Sequence, residues 1–182
     1  MTMEQRTSDL DLVERVLKGD DGAFNELVSR YLKKIYYTSF RITRNESDAE
    51  DVTQEAFARA YKKLKSFRRD SGFYTWIYRI AVNLSLNLIK KRSRIQTMLR
   101  QQQSKQVQKP GQLDAMVNHE QNSQLLDAVA RLPDKQRMTI TLRILEELST
   151  RETAEVMNCS EGTVKANLHF ALRTLKKELK GI

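Results

Sequence analysis

The sequence predicts an all-α protein, two small helical domains joined by a flexible polar linker. Apolar side chains recur at steps of three and four residues through most of the chain, and no segment shows the sustained period-two alternation of a half-buried strand. With 40% hydrophobic residues but only 6 Gly and 2 Pro among 182, the chain is neither disordered nor rich in loops. From Ser93 to about Gln121 the apolar rhythm stops, and a Gln-rich stretch carrying Pro110 and Gly111 follows. Too few apolar side chains recur there to bury a face, which predicts a connector. Domains are therefore expected over residues 1–92 and 122–182, with 93–121 as the linker. Each is near the lower size limit for an independent core.

The N-terminal domain reads as four helices. Leu12, Val13, Val16 and Leu17 form the apolar side of a short first helix, and Gly19 stands where a C-terminal glycine ends it. After Asp20 and Asp21, the positions Phe24, Leu27, Val28, Tyr31, Leu32, Ile35, Tyr36 and Phe40 define a longer second helix. Ser47 with Glu50 three residues on makes a capping box for a third. Its apolar side is Val52, Ala56, Ala60 and Leu64, with Phe57 beside them. A fourth, from about Phe73 to Arg92, buries Ile77, Ile80, Ala81, Leu84 and Leu88.

The C-terminal domain begins with an amphipathic helix bearing Leu125, Leu126, Val129 and Leu132. Pro133 is placed to open the next, which runs through Met138, Leu142 and Leu145. Ser149 and Glu152 form a capping box ahead of a short helix, RETAEVMN. After the break CSEG, with Ser160 as N-cap, a long helix buries Val164, Leu168, Ala171, Leu172, Leu175 and Leu179. A short helix, a tight turn and a longer helix make a helix-turn-helix, whose second member reads base edges in the major groove. Thr163, Lys165, Asn167, His169, Phe170 and Arg173 fall outside the buried row and are the candidates to face DNA. A purely structural hairpin is the alternative.

The net charge of +9 is unevenly placed. Residues 1–58 carry 8 basic and 12 acidic side chains, residues 59–105 carry 13 and 1, and residues 106–182 carry 11 and 10. The middle stretch thus holds more than the whole excess, as expected of a polyanion-binding surface; a solvated basic face is the plainer reading. Within that stretch Trp76, Arg79, Asn83, Asn87 and Lys90 follow at spacings of 3, 4, 4 and 3, a stripe roughly opposite the apolar row of the fourth helix. Phe73, Tyr74 and Tyr78 lie nearby. Rings stack on bases, amides bond base edges and cations meet phosphates, which is the chemistry that holds unpaired nucleotides. Taken singly, Trp76 and the tyrosines could equally close a small core; the stripe as a whole, inside the basic segment, favours nucleic acid.

The third helix carries a contrasting patch, Asp48, Asp51 and Glu55 with Gln54 alongside, facing away from the Val52 row. Paired carboxylates can serve as general acid and base, but no nucleophile, metal-ligand set or glycine-rich phosphate loop accompanies them. The patch reads better as a protein-docking surface. No catalytic residues, metal site or cofactor are expected: His119 and His169 are the two histidines, Cys159 is the lone cysteine, and neither set builds a metal site. His169 is better suited to phosphate or base contact, and Cys159 to a small turn residue. The start of the chain lacks a basic segment followed by an apolar run, and no uncharged apolar window approaches the roughly 18 to 20 residues of a membrane span. A cytoplasmic protein without membrane insertion is expected.

The strings DAEDVTQEAFARAY at 48–61, FYTWIYRIAVN at 73–83, LPDKQRMTITLR at 132–143 and EGTVKANLHFAL at 161–172, in this order, resemble the extracytoplasmic-function (ECF) sigma factors of bacterial RNA polymerase. The resemblance covers nearly the whole chain apart from the extreme N-terminus and the linker. It implies a four-helix sigma region 2 and a helix-turn-helix sigma region 4. It implies docking of Asp48, Asp51, Gln54 and Glu55 on the β′ clamp helices, with contact to the β subunit as well. Phe67, Trp76, Tyr78, Arg79, Asn83, Asn87 and Lys90 would meet the minus-ten element of promoter DNA, with Asn83 at the position associated with a flipped base. The helix-turn-helix candidates would read the minus-thirty-five element, where the family pattern often carries arginine in place of Asn167 and Phe170. An anti-sigma factor is a further implied partner. The rival readings are a conventional helix-turn-helix regulator, which has no use for the acidic patch or the stripe, and a nucleic-acid-modifying enzyme, for which no constellation is found.

Overall fold

The structure, a computed structural model, describes residues 7–102 and 127–179. The expected linker from residue 103 onward, His119, Leu125 and Leu126 lie outside the described residues. Among the described residues there is no strand.

The N-terminal helices are α1 (Asp9–Leu17), α2 (Asp21–Thr43), α3 (Glu46–Lys63) and α4 (Phe73–Gln102). Ser8 caps α1 in a reciprocal box with Asp11 that the sequence reading did not include, and Gly19 follows the helix at a φ of 99°, a conformation open to glycine at little cost. Asp20 caps α2 by accepting from the backbone N–H of Ala23 at 3.3 Å.

Two boundaries differ from expectation. The cap of α3 is Asn45, whose side-chain oxygen accepts from the backbone N–H of Asp48 at 2.9 Å; Ser47 lies inside the helix. An asparagine caps as well as a serine, and the chain has already reversed at Arg44, which sits at a φ of 58°, so the helix begins before the Ser47–Glu50 spacing could act. α4 continues ten residues past Arg92. No Gly or Pro occurs between Gly72 and Pro110, and Arg, Gln, Met and Leu sustain a helix by intrinsic propensity without a face to bury.

The C-terminal helices are α5, helical over 127–131, α6 (Asp134–Ile140), α7 (Thr150–Met157) and α8 (Glu161–Leu179). Pro133 occupies the cap of α6, one residue outside the expected position, because its ψ of 145° is still extended. A π turn, Thr141–Leu145, follows α6. Its extra residue per turn shifts the periodicity, so Leu145 is exposed rather than buried. The Ser149–Glu152 capping box is present as expected, with backbone-to-side-chain bonds of 3.2 and 2.8 Å, and Ser160 caps α8 through the N–H of Thr163 at 3.2 Å. On α8, Val164, Ala171 and Leu175 are buried and Leu168 partly so, while Leu172 and Leu179 are exposed.

Two cores result. Ala128, Val129, Leu132, Ile140, Ala171 and Leu175 form a small one within the C-terminal module. The larger one gathers the apolar rows of α1 to α4, and Met138, Leu142, Leu148 and Val156 of the C-terminal module pack into it as well. Burial of an aliphatic side chain contributes about 1.5–3 kcal/mol, so the modules share a continuous core rather than touching at a polar seam.

Candidate nucleic-acid interface

The shared core changes the character of the α4 stripe. Phe67, Phe73 and Trp76 form an aromatic cluster, with ring centroids 5.2 Å apart for Phe67 and Trp76 and 5.9 Å for Phe73 and Trp76. Phe67 and Trp76 are each 8% exposed and Tyr78 is 2% exposed. These three rings therefore do not stand on an open face, and the placement of Trp76 opposite the apolar row is corrected. α4 packs against α2 and α3 on one side and against α7 on another; Phe67 of the α3–α4 connection covers Trp76 and Glu146 of the C-terminal module covers Tyr78, so burial extends beyond a single row. Burial drives the Tyr78 hydroxyl well above the usual tyrosine range, and its bond to Glu146 adds to the shift.

The rest of the stripe is open. Arg79, Asn83, Asn87 and Lys90 are all exposed on α4, about one turn apart. A shallow groove continues it, lined by Asn87, Lys90, Lys91, Arg94, Ile95 and Met98. Exposed Lys62, Lys63, Lys65 and Arg68 supply further cations at the α3–α4 connection, while Arg69 pairs with Glu14 at 2.8 Å. The local excess of positive charge expected for residues 59–105 is thus presented at the surface by both the connection and α4.

The acidic patch divides. Asp51, Gln54 and Glu55 are exposed, and Glu55 pairs with Arg59 at 2.6 Å. Asp48 is only 7% exposed and accepts from Arg92 of α4 at 2.6 Å. Its expected place on the free patch is corrected: Asp48 lies at the α3 N-terminus where α4 crosses, and its carboxylate serves the packing of the two helices.

In the helix-turn-helix, Lys165, His169 and Arg173 share one exposed stripe of α8 at four-residue steps. Thr163 is exposed but tied to the cap, its hydroxyl 2.9 Å from that of Ser160. Phe170 is half exposed, with its ring 5.7 Å from that of His169. Asn167 is partly buried, and its amide nitrogen has no hydrogen-bond partner among the described residues. Cys159 is partly buried, and burial pushes its thiol up, away from the thiolate a nucleophile needs.

Two further residues escaped sequence reasoning, Arg137 and Glu146. The Arg137 guanidinium, 6% exposed, donates to the carbonyl oxygens of Leu132 at 3.0 Å and, across the modules, of Ile42 at 3.1 Å. The Glu146 carboxylate accepts from Thr38, Arg41 and Tyr78 of the N-terminal module. Neither position belongs to a periodic row, and no local signal distinguishes them from surface charges. Among the described residues, no group of His, Cys, Asp and Glu is placed to hold a metal, and no helix is long and apolar enough to cross a membrane.

Comparison with known proteins agrees with this division. The family described as Sigma-70 region 2 matches residues 27–95, and Sigma-70, region 4 matches residues 122–175. The chain is 36% identical to the ECF RNA polymerase sigma factor SigW of Bacillus subtilis, over 93% of this chain and 96% of the relative. It is 37% identical to the ECF RNA polymerase sigma-E factor of Escherichia coli K12, over 97% of each. In fold it resembles CnrH, solved in complex with the cytosolic domain of CnrY, with a TM-score of 0.72 at 21% identity, over 96% of this chain and 99% of that one. It also resembles RpoE of Bartonella quintana, solved with the anti-sigma factor NepR, with a TM-score of 0.70 at 22% identity, over 86% and 96%. With both sigma regions matched in order and relatives of this identity along almost its full length, the chain belongs to the ECF sigma factors of RNA polymerase.

Proposed function

We propose that this protein is a transcription initiation factor that binds core RNA polymerase, directs it to specific promoters and helps open the minus-ten element. The observation that carries the reading is the allocation of exposed side chains to separate faces: Asp51, Gln54 and Glu55 on α3, Arg79 to Lys90 on α4, and Lys165, His169 and Arg173 on α8. In this reading the α3 face docks on the β′ clamp helices, with Asp48 holding α3 in place behind it. Arg79, Asn83, Asn87 and Lys90 meet the non-template strand, Asn83 accepting the flipped base, while Phe67 and Trp76 shape the connection that carries Lys65 and Arg68. The α8 stripe reads the minus-thirty-five duplex together with Thr163, Asn167 and Phe170.

The energetics suit such a role. Polymerase would hold both modules against one promoter, so the second contact is made at high effective concentration. Capture of an unstacked base then offsets part of the few kcal/mol needed to unpair it, and melting needs no ATP. The protein acts in the cytoplasm, without catalytic activity of its own, and an anti-sigma factor is a candidate partner, as NepR is for the similar RpoE. Run-off transcription with purified core polymerase and a promoter library tests the reading. Factor-dependent starts are expected; duplex binding with no initiation would favour a conventional helix-turn-helix regulator.

A further inference from the structure

Besides the shared apolar core, the C-terminal module sends one buried carboxylate, that of Glu146, into the N-terminal one. The π turn Thr141–Leu145 leads into Glu146, and the next residue, Glu147, sits at a φ of 56°, a conformation costly for a residue with a side chain. This turn drives the Glu146 side chain into the N-terminal module, where it is 7% exposed. There it accepts from Thr38 Oγ1 at 2.9 Å, from the Arg41 guanidinium at 3.0 Å and from Tyr78 Oη at 2.5 Å. Beside it, Arg137 donates to the Ile42 carbonyl and Tyr74 bonds to Glu152.

A buried carboxylate is tolerated only when paired and hydrogen-bonded. All three of these donors belong to the other module, so only the closed arrangement satisfies Glu146 inside protein, whereas separation returns it to water. The closed arrangement also conflicts with promoter reading. Elements named minus-ten and minus-thirty-five are roughly 25 base pairs apart, or roughly 85 Å at the 3.4 Å rise of B-DNA, whereas a compact chain of 182 residues has a radius of gyration of only about 16 Å. Tyr78, which the family resemblance would place at the minus-ten DNA, lies under Glu146.

We propose that Glu146 is a latch: Thr38, Arg41 and Tyr78 form a socket that holds the free chain closed, and the latch must release before both modules engage one promoter. The functional half of this rests on the sigma-factor reading; the closed state itself does not.

Spin labels at Glu46 and Lys135, both exposed and close in sequence to the Ile42–Arg137 contact, test it in the full chain. They are attached through Glu46→Cys and Lys135→Cys in a Cys159→Ser background, and double electron–electron resonance reads their separation. The free chain is expected to give one short distance, lost on binding core polymerase and promoter. Glu146→Ala or Arg41→Ala is expected to lengthen it in the free chain, and the exchange Arg41→Glu with Glu146→Arg to restore it, which separates latch loss from misfolding. A long, broad distribution in the unmodified free chain overturns the proposal. So does a short distance that survives both single substitutions, or one that persists in the promoter complex. If the latch behaves as expected but run-off transcription fails, the sigma-factor reading falls and the closed state stands.

Discussion

Arg92 reaches from α4 to the carboxylate of Asp48 at the start of α3, 2.6 Å away across 44 residues of sequence. Asp48 is almost fully buried by this contact, while the Arg92 side chain remains half exposed. The pair therefore joins two helices of the N-terminal module and removes one carboxylate from the face proposed to dock on polymerase.

Asp48→Asn is accordingly expected to lower stability by about 1–2 kcal/mol, the worth of a charged hydrogen bond discounted for solvent screening at the exposed arginine. Urea unfolding reads this directly. Asp51→Lys with Glu55→Lys, on the exposed part of the same helix, should stay within about 0.5 kcal/mol of the parent yet weaken co-purification with core polymerase. Normal co-purification of that double variant removes the docking role.

The aromatic and amide positions of α4 are expected to separate in the same way. Trp76→Ala empties a packed site and should cost about 3–5 kcal/mol of stability, so any loss of promoter opening in that variant reports folding. Asn83 is exposed, and Asn83→Ala should leave stability nearly unchanged while costing about 1–3 kcal/mol in the open complex, as for other specific base contacts. An unchanged permanganate footprint on the minus-ten element would take Asn83 out of this role.

Local signals made most of the fold legible. The Ser149–Glu152 box, the Ser160 cap and the row Val52, Ala56, Ala60 and Leu64 are short-range patterns, and each is present. What escaped depends on contacts distant in sequence. Trp76 is buried because Phe67 of the α3–α4 connection packs on it, and Tyr78 meets Glu146 of the distant C-terminal module; no window of α4 encodes either contact. Leu145 turned outward because of a π turn, and a three-and-four rhythm cannot anticipate that. Asp48 and Asp51 are both acids on one helix, and only the crossing of α4 distinguishes the paired one from the free one. The exposed candidates, Asn83 and Lys165 among them, were legible because helical spacing alone sets a residue's angular position.

Acid should selectively erase the contribution of Glu152. Burial acts to raise its carboxyl, but hydrogen bonds from Ser149 and Tyr74 outweigh it and hold the group below its ordinary value of 4.5. A carboxyl lowered in the folded state contributes stability above its unfolded pKa, and that contribution disappears as pH falls through the folded value. Glu152→Gln should therefore be less stable than the parent at neutral pH, by about 1 kcal/mol. The gap should narrow below pH 4.5. Paired denaturation curves from pH 7 downward check it, and a gap independent of pH would show that charge at Glu152 contributes nothing.

Cations of the basic segment should differ in their effect on salt dependence according to their partners. Lys90 and Arg94 are exposed along the groove that continues the Asn83 stripe, and no ion pair to either is found among the described residues. Each that meets a phosphate releases counterions on binding, so Lys90→Ala or Arg94→Ala should flatten the slope of log affinity against log salt by about 0.7–0.9. Arg92 carries the same formal charge but spends it on Asp48. Arg92→Ala should therefore lower stability first and change the slope less. Promoter binding by the reconstituted holoenzyme across a salt series measures all three variants together. Equal slope changes at residues 90, 92 and 94 would mean that the surface acts only through bulk charge, whereas the expected order assigns the contact to the exposed face of α4.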